Sequence, residues 1–104
     1  MSMELTKDAQ KMFTVLYKDY LERRESGESK VQATYFDGDW PVRLFPDIPK
    51  SDSMETFREL RRKFSMKCYI DGGFVLSDDI IIAMENRFKN GLKDVINVLA
   101  QFVP

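Results

Sequence analysis

The sequence contains no histidine and only one cysteine among its 104 residues. The lack of an imidazole excludes hydrolases that use a histidine base, and it excludes zinc sites that include histidine. Cys68 has no partner for an internal disulfide, which fits a reducing compartment. Cys68 lies beside apolar residues in a predicted strand, so we expect a buried, unreactive thiol. No general acid, base and nucleophile can be assembled, and we therefore expect no enzyme activity, no metal and no cofactor.

Glycine, proline and long apolar runs are also scarce. The chain has five glycines and four prolines, with 43% hydrophobic and 32% charged residues, which is the balance of a folded domain. No apolar run approaches the roughly 20 residues of a membrane span. The start of the chain, residues 1–4, lacks a basic region followed by an apolar stretch. We expect one cytoplasmic domain over residues 1–104, with no membrane segment.

Neither sign of charge dominates, because 16 basic residues face 17 acidic ones. No global field draws the protein to nucleic acid or lipid, so any such binding must come from a local patch. The stretch Asp37-Gly38-Asp39 lacks the further ligand positions of an EF-hand and is predicted to be a turn. There is no Gly-rich phosphate loop, and no small-molecule ligand is evident.

The first half of the chain predicts one helix and one strand. Apolar residues at spacings of three and four predict a helix from Leu5 to Arg24, with Thr6 as its N-cap and Gly27 as its stop. Alternation in Lys30 to Phe36 predicts a strand. A proline-rich loop follows, with one helical turn at 42–45. Its aromatic group either fills the core or forms an exposed patch: Tyr35, Phe36, Trp40 and Phe45.

The second half predicts a helix, a hairpin and a further helix. Ser51 or Asp52 is expected to cap the mid-chain helix, since Asp52 and Glu55 have the spacing of a capping box. Its buried face is expected to contain Met54, Phe57, Leu60 and Phe64. Residues 68–76 hold two short apolar runs around Asp71-Gly72-Gly73, which predicts a tight hairpin. Ser77 is expected to cap the last helix.

Beyond Ser77, apolar residues continue at spacings of three or four to Phe102. This continuity favours one long helix over 78–102, although Asn90-Gly91 also allows two helices that meet at a bend. We treat 89–104 as a C-terminal helical extension. An extended apolar stripe suggests a homodimer. The expected interface residues are Leu92, Val95, Ile96, Leu99 and Phe102.

The order helix, strand, helical turn, helix, hairpin, helix resembles a winged helix-turn-helix domain. The resemblance is most specific from Ser51 to Asn86, in the phrases Y-I, G-G-F, V-L-S and I-I-I-A-M-E-N. In two places the chain departs from the family pattern, because Phe64-Ser65-Met66 and Ser77-Asp78-Asp79 replace glycine-containing positions. The resemblance implies an α+β fold, mostly helical, with a three-helix core, a small antiparallel sheet and a long C-terminal helix.

The resemblance also implies that the mid-chain helix lies in a DNA major groove and that the hairpin tip is a wing. The expected DNA-contacting residues are Ser51, Ser53, Thr56, Arg58, Arg61, Arg62, Lys63 and Lys67. Three carboxylates on the same helix would repel phosphate, and they are Asp52, Glu55 and Glu59. Two functions therefore stay open: a dimeric DNA-binding transcriptional regulator, or a protein-interaction module of the same fold that does not bind DNA.

Overall fold

The computed structural model describes residues 5–102, which form a mostly helical α+β fold with one small antiparallel sheet, as predicted. The remaining residues of the predicted domain, 1–4 and 103–104, lie outside the described part. Within 5–102, no helix is long and apolar enough to cross a membrane. The elements are α1 (Lys7–Glu25), α2 (Lys30–Thr34), β1 (Tyr35–Phe36), α3 (Trp40–Leu44), α4 (Lys50–Lys63), β2 (Lys67–Cys68), β3 (Phe74–Val75), α5 (Asp78–Arg87) and α6 (Leu92–Ala100).

Helix α1 contacts α2, α4, α5 and α6, and so occupies the centre of the fold. The predicted N-cap is confirmed, because the Thr6 hydroxyl accepts a hydrogen bond from the Ala9 amide at 3.2 Å. The helix ends at Glu25 with Ser26 as its C-cap, and the predicted stop at Gly27 is confirmed, because Gly27 follows the cap with φ 97°. Its apolar spacing buries one face, which contains Ala9, Met12, Phe13, Leu16, Tyr17 and Tyr20.

The predicted strand over Lys30 to Phe36 is wrong for most of its length, since residues 30–34 form α2 and only β1 is extended. A capping box starts this helix: the Ser29 hydroxyl accepts from the Gln32 amide at 3.2 Å, and the Gln32 side chain accepts from the Ser29 amide at 3.1 Å. These bonds satisfy two backbone donors at the helix start. The apolar alternation was misleading, because Val31 is 80% exposed.

The predicted hairpin is confirmed, although its strands are two residues long. The sheet order is β1-β3-β2, all antiparallel, with Phe74 opposite Phe36 on one side and opposite Cys68 on the other. Gly72 adopts φ 93°, a conformation that side-chain-bearing residues rarely take, and this glycine allows the tight turn. Cys68 lies in a strand as predicted but is exposed, so the expectation of a buried thiol was wrong: the residue belongs to β2, an edge strand of the sheet.

Helix α4 starts earlier than predicted. Its N-cap is Pro49, with no side-chain capping bond, so the expected cap at Ser51 or Asp52 was wrong and both lie inside the helix. Proline is compatible with this position because its ring fixes φ near the observed −54° and it has no N–H that would need a partner at the helix start. Phe57 and Leu60 are buried and attach α4 to the core, while Met54 and Phe64 are half-buried.

The single helix favoured over 78–102 is also wrong, because the chain breaks between α5 and α6. Phe88 ends α5 and is 2% exposed, with its ring 6.0 Å from Phe13 and 5.7 Å from Tyr17. Gly91 then takes φ 63°, which permits the reversal. α6 folds back onto α1, so the C-terminal segment completes the core and does not extend away from it.

The middle aromatic group fills the core, except for one member. Trp40 is fully buried, with its ring 5.2 Å from Phe57 and 5.5 Å from Phe74, and its indole N–H donates to the Gly72 carbonyl at 3.1 Å. Phe36 and Phe45 are also buried, whereas Tyr35 is 41% exposed. This cluster joins α3, α4 and the hairpin, and so fixes the position of α4 relative to the sheet.

Candidate nucleic-acid interface

Helix α4 presents one continuous exposed ridge. Ser51, Glu55, Arg58 and Arg62 follow one another at spacings of four, three and four, which places them on the same side of the helix, and all four are exposed. The opposite side of α4 is buried. The ridge is therefore the accessible surface of α4.

The C-terminal end of α4 is strongly basic. Arg58, Arg61 and Arg62 line one shallow, open depression. Lys63 and Lys67 are exposed nearby in the chain. Within residues 5–102, Arg61, Arg62, Lys63 and Lys67 have no carboxylate oxygen within 4.0 Å, so their charges are not neutralised by an internal ion pair. We call Arg58, Arg61, Arg62, Lys63 and Lys67 the basic end of α4.

Two of the three carboxylates expected to oppose DNA binding are paired with other groups of the protein. The first is Glu55, whose Oε1 lies 2.5 Å from Nη1 of Arg58, one helical turn away. Both side chains are exposed, so this pair adds little to stability. Its main effect is to offset the charge of Glu55 on the ridge.

The second is Glu59, which binds the start of α1. It accepts hydrogen bonds from the backbone amide of Thr6 at 2.8 Å and from the Thr6 hydroxyl at 2.7 Å. The hydrogen bond from the Thr6 amide has the largest effect and holds the pKa of Glu59 below its ordinary value of 4.5. Slight burial opposes this lowering of the pKa, while the hydrogen bond from the Thr6 hydroxyl and the charge of Arg62 add to it. Glu59 therefore links α4 to the start of α1 through two hydrogen bonds.

Not every residue predicted to contact DNA is available to do so. Ser53 is 2% exposed, because it lies one turn before Phe57 on the buried side of α4. Its assignment as a DNA contact was wrong. Thr56 is half-buried, and its hydroxyl donates to the Asp52 carbonyl at 3.1 Å. Ser51 is exposed on the ridge.

The turn after α4 is fixed to the start of α5 by one carboxylate. Asp79 accepts from the Ser65 amide at 3.0 Å, from the Ile80 amide at 2.9 Å and from the Ser77 hydroxyl. Burial raises the pKa of Asp79, but these hydrogen bonds outweigh it and the net pKa is lowered. Ser77 occupies the predicted N-cap position without a side-chain capping bond, since its hydroxyl donates to Asp79 instead.

The hairpin exposes apolar and aromatic side chains that the sequence reasoning missed. Ile70, at the tip, is as exposed as in an extended peptide, at 108%. The Tyr69 ring lies 6.1 Å from the Tyr35 ring, and the Lys67 ammonium lies 5.5 Å from the centre of the Tyr69 ring. The available signal was the Tyr35-Phe36 pair, since adjacent strand residues face opposite sides.

The predicted dimer face is used largely within the chain. Val95 is fully buried against the rest of the core, so its assignment to an interface with a second copy was wrong. Leu92, Leu99 and Phe102 are half-buried. Ile96 is 54% exposed. Because α6 folds back on α1, only the outer side of this stripe remains accessible.

Residues 5–102 contain no group of three or more His, Cys, Asp or Glu side chains that could hold a metal ion. Comparisons with protein-family models, with curated proteins and with solved structures find no match to this chain. The function of the basic end of α4 is therefore inferred from its own geometry and charge.

Proposed function

We propose that this chain is a winged-helix protein that binds double-stranded DNA through α4. The order of its elements supports this proposal, because β1 precedes α3 and α4 and then pairs with β3 of the hairpin. In such an arrangement α4 corresponds to the recognition helix and the hairpin to the wing.

The single observation that carries the proposal is the group of three exposed arginines around one depression at the end of α4, of which Arg61 and Arg62 have no ion-pair partner within residues 5–102. Planar guanidinium groups bind phosphate oxygens in pairs, and they retain their charge at any physiological pH. Phosphate contacts of this kind supply most of the affinity for duplex DNA. Glu55 and Glu59 oppose this attraction less than their number suggests, since both are paired with groups of the protein.

The proposed docking places the C-terminal half of α4 on the DNA backbone. Asp52 lies at the other end of the helix and is exposed, so a phosphate there would be repelled. The hairpin tip offers the apolar Ile70 and no cation, so the hairpin contributes less electrostatic attraction than α4 does. We expect affinity that depends mainly on backbone contacts and only weakly on DNA sequence.

The protein is proposed to act as a dimer through the outer side of α6, where Ile96 is exposed next to half-buried Leu92 and Leu99. Light scattering at high concentration is expected to give twice the 12.2 kDa mass of one chain. A mass of one chain would contradict the dimer without affecting DNA binding by α4.

The proposal is tested by fluorescence anisotropy with a labelled random duplex at low and moderate salt. We expect binding at micromolar protein and an affinity that falls steeply as salt rises. The variant Arg61→Gln/Arg62→Gln is expected to bind about tenfold more weakly, with a salt slope reduced by about two.

The matched control is Lys89→Gln/Lys93→Gln, which removes the same charge from exposed positions in and beside the α5–α6 turn. It is expected to bind DNA with nearly the affinity of the original chain. Equal losses in the two variants would show that net charge, and not the basic end of α4, governs binding. No binding of the original chain at about 50 μM would contradict the proposal, given typical non-specific affinities.

A second function is favoured by exposed side chains of the sheet and the hairpin tip, where the Tyr35 ring lies 6.1 Å from the Tyr69 ring and Ile70 is exposed at the tip. Aromatic side chains are enriched at protein interfaces, and this surface suits a protein-interaction module that does not bind DNA. Sedimentation of the labelled chain in cell extract should show a faster species that Tyr69→Ser/Ile70→Ser abolishes. If both proteins sediment as the free chain does, this second function is wrong.

A further inference from the structure

A cleft of about 430 Å³ lies at the opposite end of α4 from the arginines. Three segments that are distant in sequence form its wall: the start of α1, the 45–49 loop and the first two turns of α4. This volume lies in the usual range for sites that bind small organic molecules. The lining residues are Asp8, Lys11, Met12, Phe45, Asp47, Ile48, Pro49, Asp52, Ser53, Glu55 and Thr56.

The charged side chains of the cleft are mostly acidic. Four carboxylates and a single ammonium line it, so a positively charged ligand is favoured over an anion. Asp47 and Asp52 are both exposed, and the structure gives neither an ion-pair partner within residues 5–102. These two carboxylates are therefore free to pair with a cation from solution.

The remaining wall is apolar. Met12 and Phe45 are buried core residues, and Ile48 remains 37% exposed beside Pro49. A hydrated inorganic cation gains nothing from such a surface, whereas a ligand with a hydrocarbon body gains about 25 cal/mol for each Å² removed from water. The combination favours an organic cation with an apolar body.

One buried polar group in the wall has no partner. Ser53 is 2% exposed, and among the described residues its hydroxyl is the only buried side-chain nitrogen or oxygen without a hydrogen bond. A buried hydroxyl without a partner is costly, and a native structure rarely keeps one without a reason. A donor on a ligand in this cleft would supply the missing bond.

We propose that the cleft binds a small organic cation, an ammonium or guanidinium group on an apolar body. The cationic group lies between Asp47 and Asp52 and donates to the Ser53 hydroxyl, while the apolar body covers the exposed side chains of Ile48 and Pro49. Binding needs no DNA and no second copy of the chain, so this site stands whether or not α4 binds DNA.

The test uses three probes of one shape and different charge: phenylbutylamine, phenylbutanol and phenylbutyrate. Amide shifts in two-dimensional NMR report where each binds. The amine is expected to bind saturably, with a Kd of about 1 mM or tighter, and to shift residues 8–12 and 45–56. It is expected to bind at least about tenfold more tightly than the alcohol, and the butyrate is expected not to bind. Equal affinity for amine and alcohol, shifts elsewhere, or shifts that do not saturate would overturn the proposal.

Two variants locate the ligand within the cleft. Asp47→Asn/Asp52→Asn is expected to weaken the amine about tenfold, whereas Glu25→Gln/Glu28→Gln, which removes the same charge at the far end of α1, leaves its affinity unchanged. Ser53→Ala is expected to weaken the amine about threefold while the melting temperature of the free protein does not fall, since an unpartnered hydroxyl is removed. Full amine affinity in either cleft variant would overturn the assigned position.

Discussion

The two ends of α4 differ in charge although one buried face holds them both. The first turns of the helix contribute Asp52 and Glu55 to a cleft rich in carboxylates. The last turns contribute Arg58, Arg61 and Arg62 to an open basic surface. This polarity follows the helix dipole, which favours acidic side chains at the N-terminus and basic ones at the C-terminus. The difference shows that a near-zero net charge can coexist with two local clusters of charged side chains of opposite sign.

The largest effect is expected on the buried face of α4, which attaches both ends of the helix to the core. Leu60 is fully buried on the inner side of α4. Leu60→Ala should lower the free energy of unfolding by about 2 to 5 kcal/mol, because it removes apolar contacts and leaves a cavity. DNA binding and amine binding should then weaken together in proportion to the unfolded fraction. Urea denaturation measures the first effect, and a loss below about 1 kcal/mol would show that α4 is not held by this contact.

Two elements show what the sequence could predict on its own. α1 and the hairpin were predicted because local signals specify them: a capping threonine with regular apolar spacing in one, and Gly72 at the required positive φ in the other. Short-range hydrogen bonds and backbone preferences decide such elements before any tertiary contact forms.

The α5–α6 break at Asn90-Gly91 was allowed as an alternative but was not favoured, because the apolar spacing keeps its phase through Gly91. Phe88 and Val95 are buried by α1, and only this tertiary contact distinguishes a bent chain from a straight helix. The start of α2 is a different kind of miss, since the Ser29 and Gln32 capping box was present in the sequence and was outweighed by alternation.

The two candidate sites differed in the same way. Arg58, Arg61 and Arg62 lie within five residues of one another, so the basic end of α4 was visible as a local cluster. The acidic cleft combines Asp8, Asp47 and Asp52 from three separate segments, so no local sequence motif could predict it. Ser53 lies four residues before Phe57 and seven before Leu60, so helical spacing alone places it on the buried face, and this signal was present in the sequence.

The boundary between the two clusters lies at Glu55 and Arg58, which pair at 2.5 Å. Glu55→Gln should free Arg58 and remove a charge that repels phosphate, raising DNA affinity by about threefold. Arg58→Gln should lower it by about threefold, because one phosphate contact is lost and Glu55 is left unpaired. Anisotropy titrations of both single variants and the double variant measure the coupling. Strictly additive effects would mean that the pair does not form in solution.

A smaller effect is expected from Asp52 alone, which is exposed on the acidic side of α4. Asp52→Asn should raise DNA affinity by less than about twofold, because salt screens its repulsion over the distance to the basic end. The same change should weaken phenylbutylamine severalfold. Parallel titrations therefore separate the two clusters, and an equal change in both would show that they act as one surface.

The smallest effect concerns Glu59, whose hydrogen bonds link α4 to the start of α1. The folded-state pKa of Glu59 lies below 4.5, so its ionised form stabilises the folded protein above about pH 4.5, and this contribution is lost as the pH falls through the folded-state pKa. Glu59→Gln should therefore lower the free energy of unfolding at pH 7 by less than about 1 kcal/mol, given the exposure of the group, and the gap should be smaller at about pH 3. Urea denaturation at both pH values measures it, with Glu25→Gln as the control that shows no such gap. If the gap is undiminished at low pH, the amide of Thr6 is not bound by the charged carboxylate, and the two ends of α4 are oriented by the buried face alone.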